Sequence, residues 1–227
     1  MVKEDREELS EETKKLLKQA EQDVKEGRII TMKELKEELG IISKTNILLM
    51  AAKESILELS CSLGYESTLF SEEFFLIKAK DKKKILKEIK SARKKSLFVV
   101  AEASSEELLR FLVEKTSVDM VIGMEKINPR DSVHYPRGAV DQVIAKIARE
   151  RGKILGFSFN SILNSEDKFE RAKLMNRIRF NLKLCKKYKV KTYFGNFAQQ
   201  TSEMRSSKDL KSFWLVLGGN GLNSVEL

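Results

Sequence analysis

One histidine, two cysteines and 34 carboxylates bound the chemistry open to this 227-residue chain. A two-metal hydrolytic centre of the common kind needs several histidines and carboxylates converging on ions at about 2 Å. His134 alone cannot supply it. A carboxylate-only magnesium site is the remaining metal option, since hard cations accept oxygen ligands. Its candidates are Glu72, Glu73, Glu102, Asp119 and Glu125, all near the ends of predicted strands. Covalent catalysis finds little support, because neither cysteine lies near His134 in sequence. Cys61 and Cys185 are far apart, lack CxxC spacing and fall on predicted helical apolar faces, which reads as reduced core thiols.

The cations are the stronger signal. The formal charge is +9, and it is concentrated. Lys168 to Lys191 carries ten Lys/Arg against the single acid Glu170, and Lys78 to Lys95 carries ten against Asp81 and Glu88. Clusters of this kind suit a polyanionic partner, although a basic run by itself is more often a solvated face.

These residues need elements to hold them. From Asn46 onward short apolar runs alternate with amphipathic helical stretches. Ile47–Ala51, strand matter within Ser67–Ala79, Leu97–Ala101, Val118–Ile122, Ile154–Phe159 and Thr192–Phe194 read as buried strands. Helices are expected at Lys53–Leu63, Lys82–Lys94 behind the cap Asp81, from a cap at Ser104 or Ser105 to Lys115, Ala139–Ala148, Lys168–Tyr188 and Lys208–Leu217. In the longest of these, Phe169, Ala172, Met175, Ile178, Leu182 and Cys185 form the expected buried stripe, with Arg177 among the solvent-facing cations. Such alternation predicts parallel β/α winding, as an incomplete barrel or a doubly wound sheet. No GxGxxG turn follows the first strand and no reversal point is evident, which favours the barrel. The aromatics Phe157, Phe159, Tyr193, Phe194, Phe197 and Trp214 sit at predicted core positions rather than on a base-stacking platform.

Residues 1–40 differ from the rest, with nine Lys/Arg against twelve Asp/Glu. Two capped helical segments are expected there, the second opened by the capping box Thr31 to Glu34. They form a predicted N-terminal helical extension to a main domain over residues 41–227. No stretch approaches the ~18 apolar residues of a membrane span, and the acidic, Lys-rich start does not resemble a signal peptide. The expected location is the cytoplasm, with no membrane partner.

Several motifs carry a resemblance. His134 precedes a loop containing Gly138. A helix signature DxVxAKxA follows at Asp141, Val143, Ala145, Lys146 and Ala148, then GFSF at 156–159. RAxxxxRxxxNxxLCKKYKV runs from Arg171 to Val190, and MRxxxDLxSFxxVLG begins at Met204. Together they resemble the archaeal and eukaryal family of ribonuclease P protein component 3, over about residues 44–218. The family's second histidine is replaced by Gln142, its loop carries Pro136 and Arg137, and the late motif reads MRSSKDL.

The resemblance implies a TIM-barrel-like β/α barrel of the lineage of metal-dependent PHP phosphoesterases, complete or incomplete, without their metal site. It implies a subunit that binds the catalytic RNA of ribonuclease P and its companion protein subunits, especially the small component 2, and supports removal of the 5′ leader from precursor tRNA. No cofactor would be bound by the chain, magnesium being expected on the RNA. By the resemblance, Arg110, Arg130, Lys146, Lys187, Arg205 and Asp209 stand where the family tends to keep charged residues; the first five, with His134, Arg171 and Arg177 of the quoted motifs and Arg179 and Lys183 of the basic run, are the candidates for RNA or subunit contact. For His134 a loop residue satisfied by backbone or water is an equal reading. Asp209 is expected to be structural, as a helix cap or the partner of Arg205. A metal-dependent phosphoesterase of the PHP class is the alternative.

Overall fold

The computed structural model describes residues 45–95, 97–127 and 138–219. The expected extension over residues 1–40 lies outside them, as do Arg130 and His134 with their loop. The order is β1 (Thr45–Ile47), α1 (Glu54–Ser62), β2 (Ser67–Leu69), β3 (Phe74–Ile77), α2 (Lys82–Lys94), β4 (Phe98–Glu102), α3 (Glu106–Lys115) and β5 (Met120–Ile122). After a 3-10 turn at Met124–Lys126 come α4 (Gln142–Glu150), β6 (Ile154–Ser158), α5 (Phe159–Leu163), α6 (Lys168–Tyr188), β7 (Lys191–Gly195) and α7 (Ser207–Val216).

Every strand pairing is parallel, as helical crossovers require. β3 to β7 form one ladder in sequence order, and β1 pairs with β2 in another. A bridge between Leu48 and Ala198 joins the two, with Phe197 N–H donating to Ile47 O at 2.9 Å and Leu49 N–H to Ala198 O at 2.8 Å. Of the predicted, possibly incomplete β/α barrel, the described residues show a parallel α/β fold whose ladder is not closed. β2 pairs only with β1 and β3 only with β4, because a turn at 70–73 interrupts the segment that carries both. There Phe70 N–H donates to the Glu73 carboxylate at 2.9 Å and Glu73 N–H to Phe70 O at 2.9 Å.

Alternation along the strands feeds two apolar layers. Ile77, Val99, Ala101, Val121, Leu155, Phe157 and Phe194 face the helices and build the larger cluster with Leu109, Leu112, Ile144, Ile178 and Trp214. Phe74, Val100, Met120, Ile122 and Tyr193 point the other way and meet Ile47 and Leu69 in a second cluster, so both ladders curl around common contents. Gly156 is required in that layer. A Cβ there would stand 2.7 Å from Met120 Sδ and 2.8 Å from Ile122 Cγ2, so side chains rather than a neighbouring backbone occupy the space. The six aromatics assigned to the core are buried, except for half-buried Phe159, and Phe194 stacks on Trp214 at 4.9 Å.

Local rules explain the helix starts. Asp81, Ser105, Asp141, Ser158, Asp167 and Ser206 each accept backbone N–H groups of a first turn. Ser158 is the reason that the expected strand Ile154–Phe159 ends one residue early and passes directly into α5. Ser206 caps α7, which removes Asp209 from the capping role expected of it. Cys185 is buried, its thiol pushed up to about 12 by burial, whereas Cys61 is exposed, contrary to the core position predicted for it.

Candidate nucleic-acid interface

α6 decides which cations are available. Its buried residues are Leu174, Arg177, Ile178, Asn181, Leu182 and Cys185, while Phe169 is 66% exposed and Ala172 is also exposed. Of the predicted stripe Ile178, Leu182 and Cys185 are buried and Met175 is half-buried while Phe169 and Ala172 are not, and two polar residues, Arg177 and Asn181, join the buried side. Arg177 retains only 2% exposure, and its Nη1 donates to Glu125 O at 3.4 Å. It is not the solvent-facing phosphate contact predicted. Asn181 is fully buried and its Oδ1 accepts from Val140 N–H at 3.4 Å. Gly138 makes that approach feasible, since a Cβ there would lie 2.2 Å from Asn181 Oδ1. The Arg and Asn of the α6 signature therefore pin this helix to the turn after β5 and to the start of α4.

The opposite side of α6 carries Arg179, Lys183, Lys186, Lys187 and Lys189, all exposed. α4 packs beside it and adds exposed Lys146 and Arg149. Tyr188 sits among these cations. Lys146 Nζ is 5.9 Å and Lys187 Nζ 5.6 Å from its ring centroid, and Arg149 Nη1 donates to its carbonyl at 3.4 Å. Among the described residues none of these seven cations has a carboxylate partner at ion-pair distance. α2 differs, because Lys82 pairs with Glu107, Lys84 with Glu88 at 4.0 Å and Arg93 with Asp119 at 2.6 Å. Part of its charge is already met by protein.

The other predicted residues are dispersed. Arg110 is exposed on α3, which packs against α4, and contacts Glu114 at 3.4 Å. Arg171 is exposed at the start of α6, its Nε donating to Ser165 Oγ at 3.2 Å. Arg205 folds back on its own loop, donating to Ser202 O at 2.9 Å and Met204 O at 2.8 Å, with its guanidinium 5.9 Å from the Phe159 ring centroid. Its backbone joins a buried network around Asn196, whose Nδ2 reaches Asn46 Oδ1, Tyr65 Oη and Arg205 O. Asp209 is exposed, and no ion pair with Arg205 occurs among the described residues.

The carboxylates proposed for a metal are separated by the sheet. Asp119 precedes β5 and is held by Arg93 and by Val99 N–H at 2.7 Å. Glu102 and Glu125 lie at the opposite, C-terminal end. Among the described residues no group of three or more His, Cys, Asp or Glu is placed to hold a metal ion. At that C-terminal end a cleft of about 540 Å³ opens, lined among others by Lys78, Glu102, Lys126, Asn160 and Arg177. Beneath it the Glu125 carboxylate is fully buried and neither oxygen has a well-formed hydrogen bond. Burial pushes its pKa up, opposed by Lys126 and the Ser161 hydroxyl and reinforced by Glu102. Sequence reasoning missed this cleft because its lining comes from the loops of many strands. The only available signal was that parallel strands gather ligand-binding loops at their C-terminal ends.

No family model matches the chain. Among curated proteins it is 27% identical to ribonuclease P protein component 3 of Methanocaldococcus jannaschii over 137 residues, 60% of this chain and 56% of that relative. It is 28% identical to the Thermococcus kodakarensis protein of the same name over 137 residues, 60% and 58% of the two chains. This chain is similar in sequence to ribonuclease P protein component 3. The matches span a little over half the length of the component 3 proteins concerned. The fold agrees with one chain in the cryo-EM structure of archaeal ribonuclease P with mature tRNA, at a TM-score of 0.59 and 21% identity, covering 84% of this chain and 80% of that one. Component 3 and this chain thus share sequence, and the chain shares its fold with a chain of that assembly. No helix among the described residues is long and apolar enough to cross a membrane.

Proposed function

We propose that this chain serves as a protein subunit of ribonuclease P, binding the catalytic RNA and supporting endonucleolytic removal of the 5′ leader from precursor tRNA in the cytoplasm. The observation that carries the reading is the basic face of α4 and α6, whose cations meet no carboxylate among the described residues, on a chain similar to component 3. Lys and Arg there set onto phosphates of a folded RNA, reduce repulsion between its helices and hold an active conformation. Hydrolysis and its magnesium ions belong to the RNA. Affinity arises from backbone contacts, so base sequence is not read directly. Arg110 extends this face along α3 or meets a companion subunit, such as the small component 2. Arg130 and His134, beside the same helices in sequence, remain assigned to RNA or subunit contact.

The finer architecture belongs to the same proposal. Residues 67–77 act as one bent strand, the β2 half pairing with β1 and the β3 half with β4, so that the sheet wraps like a PHP-type β/α barrel. The shared apolar cluster supports that reading. Residues 1–40 are an appendage to the domain from residue 41 onward.

Reconstitution with ribonuclease P RNA and the companion subunits tests the function. Adding this chain should raise cleavage of precursor tRNA, and a variant combining Lys183→Ala, Lys186→Ala and Lys187→Ala should lose most of that gain while remaining folded. Equal cleavage with and without the chain would overturn the proposal.

A further inference from the structure

A second, smaller pocket of about 290 Å³ opens beside the cleft, lined by Lys78, Lys80, Glu102, Ala103, Ser104 and Lys126. It shares Lys78, Glu102 and Lys126 with the larger cleft, so the two adjoin. Adjacent parallel strands explain its composition. β3, β4 and β5 are neighbours in one ladder, and these residues lie at or just beyond their C-terminal ends, where loops about 5 Å apart converge. Lys78, Lys80 and Lys126 are exposed, and among the described residues none has a carboxylate at ion-pair distance. Three ammonium groups so gathered favour an anion.

Glu102 narrows the choice. Its side chain runs beside Gly123, where φ is +84° and a Cβ would approach Glu102 Cγ to 3.0 Å, so the close passage depends on glycine. Among the described residues it has no hydrogen-bond donor, and an ionised carboxylate can only accept. A bare phosphate would be attracted by the lysines and repelled by Glu102. A ligand satisfying both presents a hydrogen-bond donor immediately beside a phosphate. A ribonucleotide does so through its 2′-hydroxyl and 3′-phosphodiester, and a deoxyribonucleotide does not. The volume is at the small end of the ligand-pocket range, suited to one sugar-phosphate unit with its neighbours running into the larger cleft.

We propose that this mouth, at the C-terminal ends of β3 to β5, holds a single-stranded RNA segment, with Lys78, Lys80 and Lys126 on its phosphates and Glu102 accepting from a 2′-hydroxyl. The proposal rests on the reading of the chain as an RNA-binding subunit, and it places a second RNA contact apart from the α4–α6 face.

Fluorescence anisotropy of the full chain with a short fluorescein-labelled oligoribonucleotide, and with the same sequence as DNA, tests it. The RNA should bind more tightly. Lys78→Ala and Lys126→Ala should each weaken RNA binding roughly fivefold and lower the slope of log K against log salt by about 0.7. Glu102→Ala should tighten the DNA and bring the RNA-to-DNA ratio close to one. All three side chains reach solvent, and circular dichroism of the variants verifies that they fold. Equal affinity for RNA and DNA in the parent, a preference that survives Glu102→Ala, or lysine variants that bind like the parent would each overturn the proposal. Binding of the ribonuclease P RNA by Lys183→Ala and Lys187→Ala is measured in parallel. Weakening there with an unaffected mouth would reject the mouth alone, whereas no binding of that RNA by the parent chain would reject the subunit reading itself.

Discussion

Arg177 and Arg179 stand two residues apart on α6 and have opposite fates, which makes them a direct comparison. Arg177 is buried against the turn that holds Glu125, so Arg177→Ala should leave polar groups desolvated and cost about 3 kcal/mol in urea-induced unfolding. Arg179 is exposed, and Arg179→Ala should leave the unfolding midpoint within about 0.5 kcal/mol of the parent. Its effect should appear in RNA affinity. Glu125 gives a pH signature. Burial raises its folded-state pKa above the unfolded value, so its contribution favours folding below the ordinary carboxylate range and is lost as pH rises through the raised pKa. Glu125→Gln should therefore stabilise the chain at pH 7 to 8 and lose that advantage near pH 4, as read by thermal unfolding across pH. Neither fate was legible in the sequence. Counting apolar periodicity gives Arg177 and Asn181 to solvent by default, whereas the α6 stripe admits them because the backbone of neighbouring segments meets both, the Glu125 carbonyl accepting from Arg177 and the Val140 N–H donating to Asn181.

At the scale of elements, α6 and α2 carry equal numbers of cations in their basic runs but differ in how many are engaged by acids. Lys183→Ala and Lys187→Ala should each lower the slope of log K against log salt for the ribonuclease P RNA by about one and weaken different RNA sequences to the same extent. Arg93→Ala should leave that slope unchanged, since Asp119 already holds the guanidinium. Salt titrations of the three variants decide this. The strands β4 to β7 were legible because parallel strands buried on both faces read as continuous apolar runs. α5 was not, because Phe159 extends the apolar run of β6 and only the Ser158 hydroxyl, accepting from Ser161 N–H at 3.3 Å, turns the chain into a helix. β1 was placed two residues late for a similar reason. Thr45 and Asn46 are polar yet buried, their side chains or carbonyls engaged by Ser67, Tyr193, Ser60 and Asn196.

For the whole molecule, the proposed domain boundary gives its own test. A chain beginning at Ile41 should retain the circular dichroism of the parent main domain and support precursor-tRNA cleavage in reconstitution. Loss of both would show that residues 1–40 complete the domain.

The turn at 70–73 has a mechanical consequence. Among the described residues β2 and β3 each carry lateral amides or carbonyls with no ladder partner on one side, whereas β4, β5 and β6 are flanked by strands on both. In hydrogen-exchange experiments the amides of 67–77 should exchange fastest among the strands, and those of β5 and β6 slowest. At this seam the chain can move without breaking a ladder pairing of β4, β5 or β6, and the proposed RNA mouth lies beside it, at the C-terminal end of β3.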